Sequence, residues 1–146
     1  MATPVHKTAG TNWLFVRIDT DTGISGWGEG SLQYKDAALE AEILDFAKFL
    51  EGKDPLRIDW IWTSLYRRVT WTGGPVSMSA ISAIDLALWD LKGKILGRPV
   101  YELLGGPQTK RIFCYASNTD ISYGTENSID WFLELGFRAV KLFLRH

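Results

Sequence analysis

The sequence predicts an α+β domain followed by the opening elements of an α/β domain. Three observations predict it. Residues 12–29 read as an antiparallel hairpin, residues 36–96 carry three helical apolar stripes, and the pattern after residue 107 is strand, helix, strand.

The hairpin opens with NWLFVRIDT, in which Leu14, Val16 and Ile18 alternate with Arg17 and Asp19, as in a half-buried strand. Thr20, Asp21, Thr22 and Gly23 are a turn signal, and ISGWGE is the returning strand. Residues before Thr11 are short and polar and are expected to add little. From 36 to 50 the period becomes helical, with Leu39, Ile43, Phe46, Ala47 and Leu50 as the stripe. Gly52 ends this helix, and Asp54-Pro55 blocks its continuation. A second helix is expected from about 56 to 69, with Ile58, Ile61, Trp62, Leu65 and Val69 inward. A loop, WTGGP, precedes the third helix, about 77–96. There Ile81, Ile84, Leu88, Leu91 and Ile95 form one side, while Ala80, Ala83 and Ala87 keep the surface thin. Gly97 and Pro99 close it. Beyond Pro107, IFCYAS is a short apolar strand, 125–135 a helix with Ile129, Phe132 and Leu133 inward, and 139–144 a second strand.

That last run fits the ~30 residues or more of one βαβ unit. Parallel sheets bury both faces, so one such unit cannot bury itself. An eight-fold barrel needs about 250 residues, and only 36 follow Lys110. The expected organisation is therefore a domain over 1–110 and the start of a barrel over 111–146. Most of the barrel is expected to be absent, as in the front part of a larger enzyme.

Hydrophobic residues are 46% and charged residues 23%, which fits a soluble globular chain. The formal net charge of -1 gives no attraction for nucleic acid or anionic lipid. No apolar run reaches the ~18–20 residues that span a bilayer, and the start has no signal-peptide layout. One cysteine, Cys114, cannot form an internal disulfide. Cytoplasm is the expected compartment.

Few motifs carry chemistry. GWGEG over 26–30 is not a dinucleotide loop: its glycines are evenly spaced and Glu29 would repel phosphate, so close backbone approach explains them better. Asp85 and Asp90 are five apart and do not share a helix face; with Glu102 they are expected to cap, pair or face solvent. His6 stands alone, Cys114 reads as a small core residue, and no Cys/His cluster has metal-ligand spacing. Lys141 is different. Val140, Leu142, Phe143 and Leu144 surround it, so its strand should be buried, and a buried lysine is costly unless paired or used. It also falls where barrel enzymes place working groups, at a strand end.

Residues 80–105, AISAIDLALWDLKGKILGRPVYELLG, resemble the signature of the mandelate racemase and muconate-lactonizing branch of the enolase superfamily. The matching positions are Ala80, Ser82, Ala83, Ile84, Asp85, Ala87, Leu88, Asp90, Gly93, Lys94, Pro99, Val100, Leu103, Leu104 and Gly105. TDTGISGWGEG resembles the end of the family's capping-domain meander, FLEGKDPLRIDWIWTSLYR its helical pair, and IFCYAS and AVKLFL its first two barrel strands.

The resemblance implies an α+β capping domain, an antiparallel meander plus helices, followed by the first βαβ unit of a TIM-like (β/α) barrel. It implies Mg²⁺ held by three carboxylates on later barrel strands, all outside this chain. It also implies a small carboxylate substrate, a proton removed next to that carboxylate, and a homo-oligomer. Two capping loops would select substrate. One corresponds to Trp71, Thr72, Gly73 and Gly74. The other falls around 4–10, including His6, where the meander's opening strand is missing. Family racemases and cycloisomerases carry Lys-x-Lys at the end of the second strand, whereas here Lys141-Leu142-Phe143 puts phenylalanine at the usual base. That departure favours the acid-sugar dehydratases, such as rhamnonate dehydratase, with Lys141 binding the substrate carboxylate or polarising the site. The alternatives are a racemase, epimerase or cycloisomerase of the same superfamily, and a non-catalytic binding module. Under the dehydratase reading this chain alone is inactive.

Overall fold

The computed structural model describes residues 2–8, 11–68, 70–117 and 129–142, with only the backbone given for 2–8 and 11. The chain divides into two compact units, Met1–Gly106 and Pro107–His146.

In the first unit three strands form an antiparallel sheet in sequential order: β1 (Ala2–Thr8), β2 (Thr11–Asp19) and β3 (Ser25–Glu29). Alternation places Leu14 and Val16 in the core and Arg17 and Asp19 outside. Four helices follow: α1 (Asp36–Leu50), α2 (Ile58–Arg67), α3 (Pro75–Leu96) and the short α4 (Val100–Leu103). Leu39, Ile43 and Phe46 of α1, Ile58, Ile61 and Leu65 of α2, and Ile81, Ile84 and Leu88 of α3 meet in one cluster. Each fully buried side chain of this size contributes roughly 1.5–3 kcal/mol of transfer free energy.

The glycines of β3 explain its packing. A Cβ on Gly28 would strike Ala83 O and lie 2.8 Å from Ala87 N. One on Gly26 would lie 2.7 Å from Leu91 Cβ, and one on Gly30 2.5 Å from Ala83 Cβ. Three glycines at period two thus face Ala83 and Ala87, one helical turn apart, and backbone meets backbone.

Several expectations are corrected. Residues 2–8 are not a loop: β1 pairs with β2 through Ala2↔Val16, Pro4↔Leu14 and His6↔Asn12, so the meander's opening strand is present. Backbone pairing, which needs no apolar pattern, decided this. His6 accordingly sits in β1, paired with Asn12 of β2. Helix α3 begins at Pro75 rather than Ser77, because proline suits the first helical turn. Helix α2 is shorter than expected, and Val69 lies outside the described residues. Ala47, Trp62 and Ile95 are exposed rather than inward, since each lies at the margin of its stripe.

The second unit has β4 (Ala116–Ser117), α5 (Ile129–Glu134) and β5 (Val140–Lys141), with β4 and β5 paired in parallel. Strand, helix and parallel strand occur in the expected order. Among the described residues the ladder is two residues long, and Ile112, Phe113 and Cys114 lie outside it and are exposed. Cys114 is therefore not a core residue. Leu133 is also exposed, at 52%. Lys141 is exposed rather than buried, because within this unit one strand and one short helix do not enclose both faces of β5. The expected helix start at 125–128 and strand end at 143–144 lie outside the described residues.

Candidate functional site

Local geometry gathers three chain reversals at one end of the first unit. The β1–β2 reversal is there because Thr8 pairs with Thr11. The end of β3 joins it, as Gly30 N–H donates to Leu14 O at 3.0 Å. Gly30 also lies against the first turns of α3, 3.2 Å from Ser79 O when given a Cβ. The start of α1 is held at the same end by Asn12 Nδ2, which donates to Asp36 Oδ2 at 2.8 Å. Segment 70–74, between α2 and α3, completes the group.

That segment carries the sequence-predicted Trp71, Thr72 and Gly73. Gly73 and Gly74 have φ of 87° and 81°, a region that L side chains avoid. Trp71 is 88% exposed. Among the described residues none hydrogen-bonds to Trp71, Thr72 or Gly73. The segment is anchored only at its ends, by α2 and by the first turn of α3. There Met78 N–H donates to Gly74 O at 3.0 Å, and Ser77 Oγ donates to Glu42 Oε1 of α1 at 2.8 Å. His6 reaches the same end through its register with Asn12. Lys141 stands in the other unit, the last residue of β5, opposite Ser117.

The helix carboxylates have structural partners. Asp90 Oδ2 accepts from Lys94 Nζ at 2.6 Å and from Trp27 N–H at 2.8 Å. Lys94 also donates to Ser25 O at 3.0 Å. Partial burial pushes the Asp90 carboxyl up, but these donors outweigh it and hold the pKa below the ordinary value. Glu102 pairs with Arg98 at 3.0 Å. Asp85 is the exception: burial, then the nearby Asp59 charge, raise its pKa. A cleft of about 820 Å³ opens at the opposite end, lined by Ile43, Leu50, Leu88 and Ile95 among others. None of the sequence-predicted site residues lines it. Among the described residues no group of three or more His, Cys, Asp or Glu could hold a metal ion. No helix among them is long and apolar enough to cross a membrane.

Sequence reading missed the Asn12–Asp36 and Ser77–Glu42 bonds. They join residues 24 and 35 apart, and no local period marks such pairs.

Residues 1–105 match the family model described as the mandelate racemase / muconate lactonizing enzyme N-terminal domain. The chain belongs to the mandelate racemase / muconate lactonizing enzyme family. Its sheet and helices are the N-terminal capping domain of the enolase superfamily. Among this family's curated members, D-galactonate dehydratase of Ralstonia nicotianae is 49% identical over 104 residues, covering 71% of this chain. The chain spans 27% of that protein's length. The relatives reported are thus named for galactonate rather than rhamnonate. A solved enolase-superfamily member from Salmonella Typhimurium superposes with a TM-score of 0.86 at 30% identity, over 97% of this chain and 40% of that one. An enolase from Pantoea ananatis, with bound D-gluconate and Mg, gives a TM-score of 0.78 at 35% identity, over 95% of this chain and 34% of that one.

Proposed function

We propose that this chain is the N-terminal part of a Mg²⁺-dependent acid-sugar dehydratase of the hydro-lyase class, with the first unit capping a (β/α) barrel. The observation that carries the reading is the 49% identity to a protein named D-galactonate dehydratase. A structural neighbour with D-gluconate and Mg bound points to the same class of substrate. The reaction breaks the C–H bond next to the carboxylate and expels the neighbouring hydroxyl as water. The resulting enol becomes a 2-keto-3-deoxy acid.

The described residues of this chain do not suit a Mg²⁺ site. The metal ligands and the base are assigned to barrel strands beyond it. Within the chain, Lys141 is assigned to the substrate carboxylate, whose charge its ammonium would oppose. Lys141 is exposed at the end of β5. Trp71, Thr72 and Gly73 are assigned to the polyol end of the substrate, where an aromatic face and a hydroxyl suit a sugar chain. His6 is assigned beside them, on the strand that returns through the β1–β2 reversal. The complete enzyme is proposed to be a cytoplasmic homo-oligomer.

The test is a panel of aldonates, galactonate included, given to the complete protein with Mg²⁺. Formation of a 2-keto-3-deoxy acid is the expected result. Absence of that product from every aldonate would sink the reading, and α-proton exchange without water loss would move it to racemization or epimerization.

A further inference from the structure

We propose that Glu42 and Ser77 are positioning residues for the 70–74 segment, a clamp that sets substrate affinity from outside the site. The inference rests on the reading that Trp71, Thr72 and Gly73 meet the substrate.

The segment has little to hold it. It contains two consecutive glycines at positive φ, and among the described residues no hydrogen bond reaches Trp71, Thr72 or Gly73. Its shape is therefore inherited from its two ends. One end is the exposed close of α2, at Arg67 and Arg68. The other is the first turn of α3, which by itself has no side-chain cap. Ser77 lies in that turn, and its hydroxyl donates to Glu42 Oε1 at 2.8 Å in a partly buried contact. Glu42 belongs to the second turn of α1, whose Ile43 and Phe46 are core residues, so the acceptor sits on a rigid element. The bond transfers that rigidity to the residues just after Gly74. Breaking it frees the start of α3 to shift and leaves a mobile segment to be ordered when substrate binds.

Glu42 touches no reacting atom in this account, so its loss should weaken binding and spare chemistry. The complete protein would be assayed as wild type, E42A, E42Q, S77A and E42A/S77A. With E42A and with S77A, KM should rise about three- to tenfold while kcat stays within about twofold. The double variant should be no worse than either single one, since both remove the same bond. E42Q keeps an oxygen acceptor for the Ser77 hydroxyl and should restore KM. Amide exchange over residues 70–78 should quicken in E42A and recover in E42Q, with melting temperature nearly unchanged. An active wild type whose KM is unmoved by E42A and S77A overturns the clamp alone. A wild type inactive on every aldonate overturns the underlying reading, and the clamp's role with it.

Discussion

Gly28 shows how much one missing side chain can decide. Its strand lies so close to α3 that a Cβ would meet two backbone atoms, Ala83 O and Ala87 N. Backbone cannot rotate aside as a side chain can, so the sheet or the helix must move. Gly28→Ala is expected to destabilise the first unit by about 2–3 kcal/mol or more, read by urea unfolding. A loss within experimental error would mean that the interlock is loose. Asp90 and Asp85 make an opposed pair of tests. The folded-state pKa of Asp90 is lowered, so its stabilisation is present above the unfolded value of about 3.9 and is lost as pH falls through the folded value. D90N should therefore melt below wild type at pH 7, with the gap closing below about pH 4. For Asp85 the sign reverses. Its folded-state pKa is raised, so ionisation costs stability at neutral pH. D85N should melt above wild type at pH 7, and this advantage should fade as pH falls through the raised folded value and be gone below about pH 4, where both states hold the proton.

Among the elements, α3 is central. It packs against β2, β3, α1 and α2 and buries Ala80, Ala83 and Ala87 against them. The second unit offers a contrast, with a two-residue ladder, a six-residue helix and exposed Ile112 and Phe113. Exchange protection follows burial and hydrogen bonding. In this chain alone, amides of α3 should exchange slowest, while those across 112–117 and 129–142 should exchange early, so that the chain is partly unfolded beyond about Lys110. Full protection across 112–142 would contradict this account. The three main helices were legible because each repeats apolar residues every three or four positions, a signal contained within one turn. Strand β1 was not legible. Its partner is another strand, and pairing through backbone groups leaves no mark on composition.

As a whole molecule, the chain is a capping domain joined to one βαβ unit. The described residues carry substrate-facing candidates in the first unit and Lys141 in the second, and no cluster suited to a metal. Under the proposed function, the metal ligands and the base are assigned to later barrel strands. This chain alone, given galactonate and Mg²⁺, is expected to form no 2-keto-3-deoxy acid, and a measurable product would remove the assignment of base and metal ligands to later strands.

The sequence by itself determined the helices, the β2–β3 hairpin and the family, since the 80–105 motif is continuous in the chain. It also carried the GWGEG glycines, rightly read as a site of close approach. Only the tertiary structure decided what they approach, that residues 2–8 form a strand, that Lys141 is exposed, and that Glu42 holds Ser77. The reason is range. Helical periodicity and turn chemistry act over three or four residues and can be read along the chain. Strand pairing, burial and side-chain bonds join residues tens of positions apart, and their outcome depends on which surfaces the assembled elements bring together.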